Sequence, residues 1–344
     1  MSKDTLTAPF PYFGGKSLAC AQVWAAFGEV KNYVEPFCGS AAMLLGAPAG
    51  KRVETINDAD GFVANFWRSV SKDDAAVAEA MDWPVNEADL FARHIWLVQQ
   101  SEGLLARLHA DPDYYDARIA GWWAWGACNW IGSGWCSGKG PWTVVDGEVV
   151  RNAGQGVWRQ LPHLSAGQGV NRQLPHLGDA GRGAFIRDWL ARLGERLRDV
   201  RVACGDWKRV LTDSVTVRHG TTAVFLDPPY TKGAMDYAAG GVGGALADEV
   251  RAWCRDNGDN KKLRIVLCGH AGEHDELLAH GWSIRKWKAR KGYALRDKAV
   301  ENNASETLWV SPACVGTPEV EAPLVDLFTG EVIEPLVPSL SAHD

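Results

Sequence analysis

The sequence lacks any pair of cysteines at Cys-x-x-Cys spacing. Its eight cysteines (20, 38, 128, 136, 204, 254, 268 and 314) are scattered through 344 residues. Zinc sites and dithiol redox motifs need tighter spacing, so reduced thiols in a cytoplasmic protein are expected. Also missing is an apolar run approaching the roughly 18 residues of a membrane span. The opening MSKDTLTAPFPYFGGK has no apolar stretch followed by a cleavage site, so neither a membrane protein nor an exported one is expected. Finally, there is no basic excess: 36 Lys and Arg against 42 Asp and Glu give a net charge of −6, which superficially argues against a nucleic-acid partner. The placement of charge reverses that impression. Residues 118–218 carry 14 basic and 8 acidic side chains, and residues 260–298 carry 10 and 4, leaving the remainder strongly acidic. A basic face on an acidic body suits a nucleic acid, although ordinary solvated helices produce the same bias.

What is present is an ordinary soluble composition, 46% hydrophobic and 23% charged, long enough for two domains or one large domain with an insertion. Tryptophan is the outlier, with 17 residues, seven of them between Trp122 and Trp158. A buried cluster explains several; in a Gly-rich, basic stretch they also suit stacking on bases or sugars.

The first 70 residues read as the start of an α/β unit. Tyr33-Val34 leads into Glu35-Pro36-Phe37-Cys38-Gly39-Ser40, then a helix-forming run from Ala41 to Leu45, then a strand from Val53 to Ile56 ending at Asn57-Asp58. Strand, Gly-containing turn, helix, strand and acidic end is the order of a nucleotide-binding βαβ unit. Residues 73–110 read as two helices. Further on come a helix over 184–199 and strands at Val200–Ala203, Ala223–Leu226, Arg264–Leu267 and Glu306–Val310. The Pro-rich residues 312–344 read as a tail. Between about 120 and 183 Gly, Trp and Gln rise and periodicity is poor. There AGQGVWRQLPHL (153–164) is repeated as AGQGVNRQLPHL (166–177), with Trp158 against Asn171 the only mismatch. Two copies are too few for a solenoid. The repeat is a duplicated loop or hairpin whose Arg, Gln and His suit phosphate or base-edge contacts, or a duplication merely tolerated at the surface.

The strongest chemical signal is Asp227-Pro228-Pro229-Tyr230 at the C-terminal end of an apolar strand, where open α/β sheets bind ligands. The tetrad combines a carboxylate, a stiff turn with exposed carbonyls and an aromatic face. An exocyclic amine needs two acceptors to orient its hydrogens; the Asp227 carboxylate and the Pro228 carbonyl supply both, and Tyr230 stacks on the ring. A strand that simply ends at Asp-Pro-Pro is the bland alternative.

Taken together, PFPYFGGK (9–16), YVEPFCGSAAMLL (33–45), Asn57-Asp58, Cys204-Gly205-Asp206-Trp207 and the tetrad resemble, in family order, the Dam-like class of DNA adenine methyltransferases, with a phage or prophage flavour and hence a restriction-modification or phage setting. The resemblance spans most of residues 9–311 and is loose between about 75 and 180. It implies an α/β, Rossmann-like mixed sheet flanked by helices with an inserted target-recognition region. The implied divisions are 1–74 and 184–311 for the catalytic domain, 75–183 for the insertion and 312–344 for the tail. It implies S-adenosylmethionine as cofactor and methyl transfer to the N6 amine of an adenine flipped out of double-stranded DNA, without metal. Residue by residue, it implies Tyr12 and Lys16 at the cofactor and the loop of Glu35, Pro36, Phe37 and Gly39 around its methionine part. Asp58 would take the ribose hydroxyls, Asp206 and Trp207 the adenine, and Asp227, Pro228, Pro229 and Tyr230 the chemistry, with Asp227 also at the cofactor. In the insertion, Arg151, Arg159, Arg172 and Arg182 are expected at DNA. Lys286, Lys288, Arg290 and Lys291 form a possible second strip, and the Gly-rich loop 238–244 a possible cover for the base. The chain departs from the family at Ala41-Ala42, where many relatives have a further glycine, and at Tyr12-Phe13, which replaces Trp-Ala. Methylases of RNA or of protein glutamine, a decayed DNA-binding homologue and, distantly, a sugar-binding role for the tryptophans remain as alternatives.

Overall fold

Short apolar runs that end in polar residues dominate the sheet, as expected for parallel strands covered on both faces. The computed structural model describes residues 6–12, 16–130, 135–136, 142–145, 148–151, 183–229, 243–286, 306–315, 324–325 and 332–333. In chain order the first half contains α1 (Cys20–Phe27), β1 (Asn32–Glu35), α2 (Ala42–Leu45), β2 (Val53–Asp58), α3 (Gly61–Met81), α4 (Glu87–Ala110), α5 (Ala117–Asn129), β3 (Trp142–Val145) and β4 (Glu148–Arg151). The second half contains α6 (Gly183–Leu197), β5 (Val200–Cys204), β6 (Thr222–Leu226), α7 (Gly243–Asn257), β7 (Leu263–His270), β8 (Ser283–Lys286), β9 (Glu306–Val310), β10 (Leu324–Val325) and β11 (Val332–Ile333).

Seven strands form one sheet in the order β5-β2-β1-β6-β7-β9-β8. The first five are parallel, whereas β9 runs antiparallel to β7 and to β8. The fold is therefore the expected α/β Rossmann-like mixed sheet. From β1 the chain moves one way, to β2 and β5, and then returns to β6 on the other side of β1. This reversal opens a crevice at the carboxyl ends of β1 and β6, the place where open α/β sheets bind ligands. The strands β3 and β4 pair as a separate hairpin, as do β10 and β11.

Alternation along the strands builds two cores, one on each face. Tyr33, Ala223, Phe225 and Val266 point into the larger, with Phe27, Phe66, Trp67 and Leu190; Val34, Val224, Leu226, Ile265 and Leu267 point into the other, with Trp207, Val250 and Trp282. The two helices expected over 73–110 are present, as the part of α3 after its break at Asp73 and as α4 from Glu87, but α3 starts well upstream, at Gly61, behind an Asp60 cap that accepts from the Phe62 N–H. Phe62, Val63, Phe66, Trp67 and Val70 recur near the helical period and are all buried. They extend the apolar face upstream of the charged stretch that drew the sequence reading to 73. Residues 312–315 are anchored, with the Val315 N–H donating to Ala26 O.

The tryptophans of α5 are largely structural. Trp123 and Trp125 are buried, Trp125 donating through Nε1 to Trp83 O. Trp123 meets Phe10 at 4.8 Å, edge-on, and lies parallel to Phe62 at 6.5 Å between centroids. Trp122 is half-buried beneath the guanidinia of Arg93 and Arg118. The side chain of Trp142, Trp158 and the 13-residue repeat lie outside the described residues.

Because Trp123 joins α5, α3 and the N-terminal segment, Trp123→Ala should lower stability by about 3–5 kcal/mol. Urea denaturation would measure this; a loss under 1 kcal/mol would mean that the aromatic contact does not hold these elements together.

Candidate active site

At the sheet's reversal point the carboxyl ends of β1, β2 and β6 deliver three acidic residues to one place. Glu35 ends β1, Asp58 ends β2 and Asp227 follows β6. All three line one cleft, partly open to solvent, together with Tyr12, Lys16, Phe37, Gly39, Asp60, Pro229 and Leu246 of α7.

The loops that form the cleft wall are fixed by one buried amide. Asn57 Nδ2 donates to Pro36 O at 3.0 Å and to Gly205 O at 2.9 Å, tying the loops after β1 and β5 to the end of β2. Asp58 continues the same device: Oδ2 accepts from the Gly39 N–H and Oδ1 from the Asp60 N–H, both at 2.9 Å. On the other side of the loop, Trp67 Nε1 donates to Gly39 O at 2.8 Å. Gly39 has φ +45°, and a Cβ there would lie inside the Tyr12 ring. Two residues on, Ala41 is also left-handed, at φ 50°, and fully buried. A glycine would adopt this conformation without strain, so the chain keeps the turn and accepts the strain of a Cβ.

Lys16 is nearly sealed from solvent, and its ammonium lies 3.2 Å from Asp227 Oδ2 and 3.7 Å from Glu306 Oε1 at the start of β9. Burial alone would lower its pKa, but the carboxylates, Asp227 foremost, outweigh it and hold the ammonium well above its ordinary value. Glu35 is buried and accepts from Tyr33 Oη at 2.8 Å. Burial pushes its carboxyl up to about 8, with the Tyr33 hydroxyl and the Leu44 backbone opposing. Burial and then the charge of Asp60 push Asp58 up to about 7, against hydrogen bonds from the Asp60, Gly39 and Ala59 backbone.

The expected residues fall into three groups. Tyr12, Lys16, Glu35, Phe37, Gly39, Asp58, Asp227 and Pro229 meet at the cleft. Behind its wall, Pro36 accepts from Asn57, Pro228 is buried, and the Trp207 ring sits 5.9 Å from Phe37. Asp206 is exposed and accepts from the Lys208 N–H at 2.8 Å, capping the single 3-10 turn Trp207–Val210. For Arg151 only the backbone is described, at the end of β4, and Lys286 likewise ends β8. Tyr230, Arg159, Arg172, Arg182, Lys288, Arg290, Lys291 and residues 238–242 lie outside the described residues. Sequence reasoning missed Glu306 and Asp60, and gave Asn57 no structural role. Among the described residues no group of His, Cys, Asp or Glu is arranged to hold a metal ion, and no helix is long and apolar enough to cross a membrane.

The Tyr12–Gly39 contact makes a test. Gly39→Ala adds a Cβ at positive φ, costing about 1–2 kcal/mol, and displaces the Tyr12 ring. In Tyr12→Ala, where the ring is gone, the same substitution should cost less. Equal costs in the two backgrounds, measured by denaturation, would mean that the ring does not rest on Gly39.

No curated protein matches the chain at the significance required. The sequence model of the D12 class N6 adenine-specific DNA methyltransferases matches residues 12–103. The match takes in Tyr12, Lys16, the loop after β1 and Asp58, and ends well before Asp227. Over those residues the chain is similar to the D12 class N6 adenine-specific DNA methyltransferases, the Dam-like enzymes that methylate adenine in DNA.

Proposed function

We propose that this protein transfers a methyl group from S-adenosylmethionine to the N6 amine of an adenine flipped out of double-stranded DNA, with Asp227 orienting the amine. The observation that carries the reading is the convergence at one cleft of Asp227 and Pro229 with Glu35, Gly39 and Asp58, in a chain whose residues 12–103 match the adenine methylases.

The residues present fit such a donor. Among the described residues, four carboxyl groups, those of Glu35, Asp58, Asp60 and Asp227, face the cleft against one ammonium, that of Lys16, an environment suited to a ligand with cationic groups. Gly39 lets the backbone approach closely, and the two Asp58 carboxyl oxygens, held in place by the surrounding backbone N–H groups, suit a vicinal diol. The donor supplies a sulfonium-borne methyl group, which the adenine nitrogen takes up as the C–S bond releases its electron pair to sulfur. Tyr12 and the Glu35–Gly39 loop would surround its methionine part, with Asp58 at the ribose. Trp207, packed against Phe37, would shape the adenine end, and Asp206 its rim.

Inside a duplex the amine is paired, so the base must leave the stack, at a cost of a few kcal/mol. Asp227 and the Pro228 carbonyl then accept the two amine hydrogens, aim the nitrogen lone pair and stabilise the positive charge that develops on it; the excess proton leaves to solvent. Tyr230 would stack on the base. Residues 75–183, with Arg151, Arg159, Arg172 and Arg182, would recognise DNA, and residues 1–74 and 184–311 would form the catalytic domain. A cytoplasmic setting and a phage or restriction-modification role belong to the same reading.

Two measurements test it. Asp58→Ala removes two charge-assisted hydrogen bonds worth roughly 1.5–3 kcal/mol each. Calorimetric affinity for S-adenosylmethionine should fall at least tenfold while DNA binding stays near wild type, and an unchanged dissociation constant removes Asp58 from the site. Asp227→Asn keeps the shape but not the charge. Single-turnover adenine methylation should slow by about 100- to 1,000-fold with both affinities little changed. A rate within threefold of wild type overturns the mechanism.

A further inference from the structure

An ammonium paired with one carboxylate is neutral overall and gives little net field at a neighbouring cationic centre. We propose that Glu306 is a positioning residue for the transfer: by sharing the Lys16 ammonium with Asp227, it makes the cluster net anionic where the amine must become positive. The inference rests on the reading of Asp227 given above. Lys16 and Asp227 alone sum to zero; with Glu306 the three side chains carry one negative charge. The attraction falls on a charge present in the transition state and absent from the neutral amine, so it accelerates transfer rather than tightening ground-state binding.

The geometry supports this role. Glu306 reaches the site by a route unlike that of the other acids, at the first position of an antiparallel strand whose register sets it opposite His270 at the end of β7. Its Oε1 lies 3.7 Å from Lys16 Nζ. Its Oε2 is buried with no hydrogen-bond partner among the described residues, an arrangement that costs stability and calls for a reason beyond folding. The titratable groups facing Glu306 among the described residues are Lys16 from the N-terminal segment, Asp227 after β6, and His270 and the buried Cys268 thiol on β7, the thiol kept protonated by burial. Burial raises the Glu306 pKa above the ordinary carboxylate value, with Lys16 opposing. Its charge is therefore lost on acidification earlier than that of an exposed glutamate.

The test uses the full chain, S-adenosylmethionine and DNA free of adenine methylation. At pH 8, Glu306→Gln should slow single-turnover methylation about ten- to thirtyfold while the dissociation constant for S-adenosylmethionine stays within twofold. The wild-type advantage over Glu306→Gln should shrink as pH falls and Glu306 takes up its proton, a trend that a merely structural role would not produce. Glu306→Asp, which retains the charge, should stay within about threefold of wild type. A Glu306→Gln rate within twofold of wild type overturns the inference. So does a Glu306→Asp variant as slow as Glu306→Gln with a pH-independent ratio to wild type. Asp227→Asn run alongside separates the two readings. If Asp227→Asn is slow and Glu306→Gln is not, only the role of Glu306 fails; if Asp227→Asn is not slow, the reading of Asp227 fails first.

Discussion

A buried ammonium organises this site. Lys16 is almost fully removed from water, and an unpaired charge there would cost several kcal/mol. It is held by Asp227 from the end of β6 and Glu306 from the start of β9. Three segments, the first more than two hundred residues from the other two, must therefore be in register before the charge is tolerable. The N-terminal segment is pinned to the sheet at the reversal point, and Tyr12, four residues upstream, is brought over Gly39. Removing both carboxylates, or the ammonium, leaves buried charge uncompensated, a larger penalty than the cluster's net contribution. The cluster thus fixes geometry more than it adds stability.

Much of this arrangement can be read in the sequence because parallel strands leave a plain record. Runs such as Ala223–Leu226 are apolar on both faces, and the first polar residue after each marks the carboxyl end where ligands sit. Asp58 and Asp227 were found in that way, and Glu35 with the loop it opens. The antiparallel return left no such record. Glu306 begins an ordinary-looking strand, and only the pairing of β9 with β7 shows that it faces Lys16. Asn57 was read as a strand-end polar residue, but its two amide bonds span residues 36 and 205, a coincidence in space that spacing does not encode. The start of α3 was missed because its first two turns are nearly all buried, so they lack the charged face that announces a helix. Composition alone could not decide between core and stacking surface for the tryptophans; packing places Trp123 and Trp125 in the core.

The Gly39–Ala41 turn separates backbone strain that the site tolerates from strain that it does not. Both residues are left-handed, but only Gly39 lies under a ring. A side chain at 39 meets Tyr12, whereas the Ala41 methyl is buried in the core. Backbone strain alone, of about 1 kcal/mol, is tolerated where packing returns part of it. Strain joined to a steric clash is not.

The charge of the cleft is softer than its number of carboxyl groups suggests. Glu35 is pushed to about 8 and Asp58 to about 7, so near neutral pH both hold protons part of the time. Their negative charge is lost as pH falls through those values and restored as it rises. A cation entering the cleft favours the ionised forms and lowers both values, so its binding must release protons, and by linkage its affinity must rise with pH across the same window. Desolvation therefore does two things at once. It keeps Glu35 and Asp58 from repelling each other at full charge while no cationic ligand is bound, and it reserves that charge for a ligand able to compensate it. A shallow, exposed acidic patch would do neither, which is why the acids lie at buried strand ends.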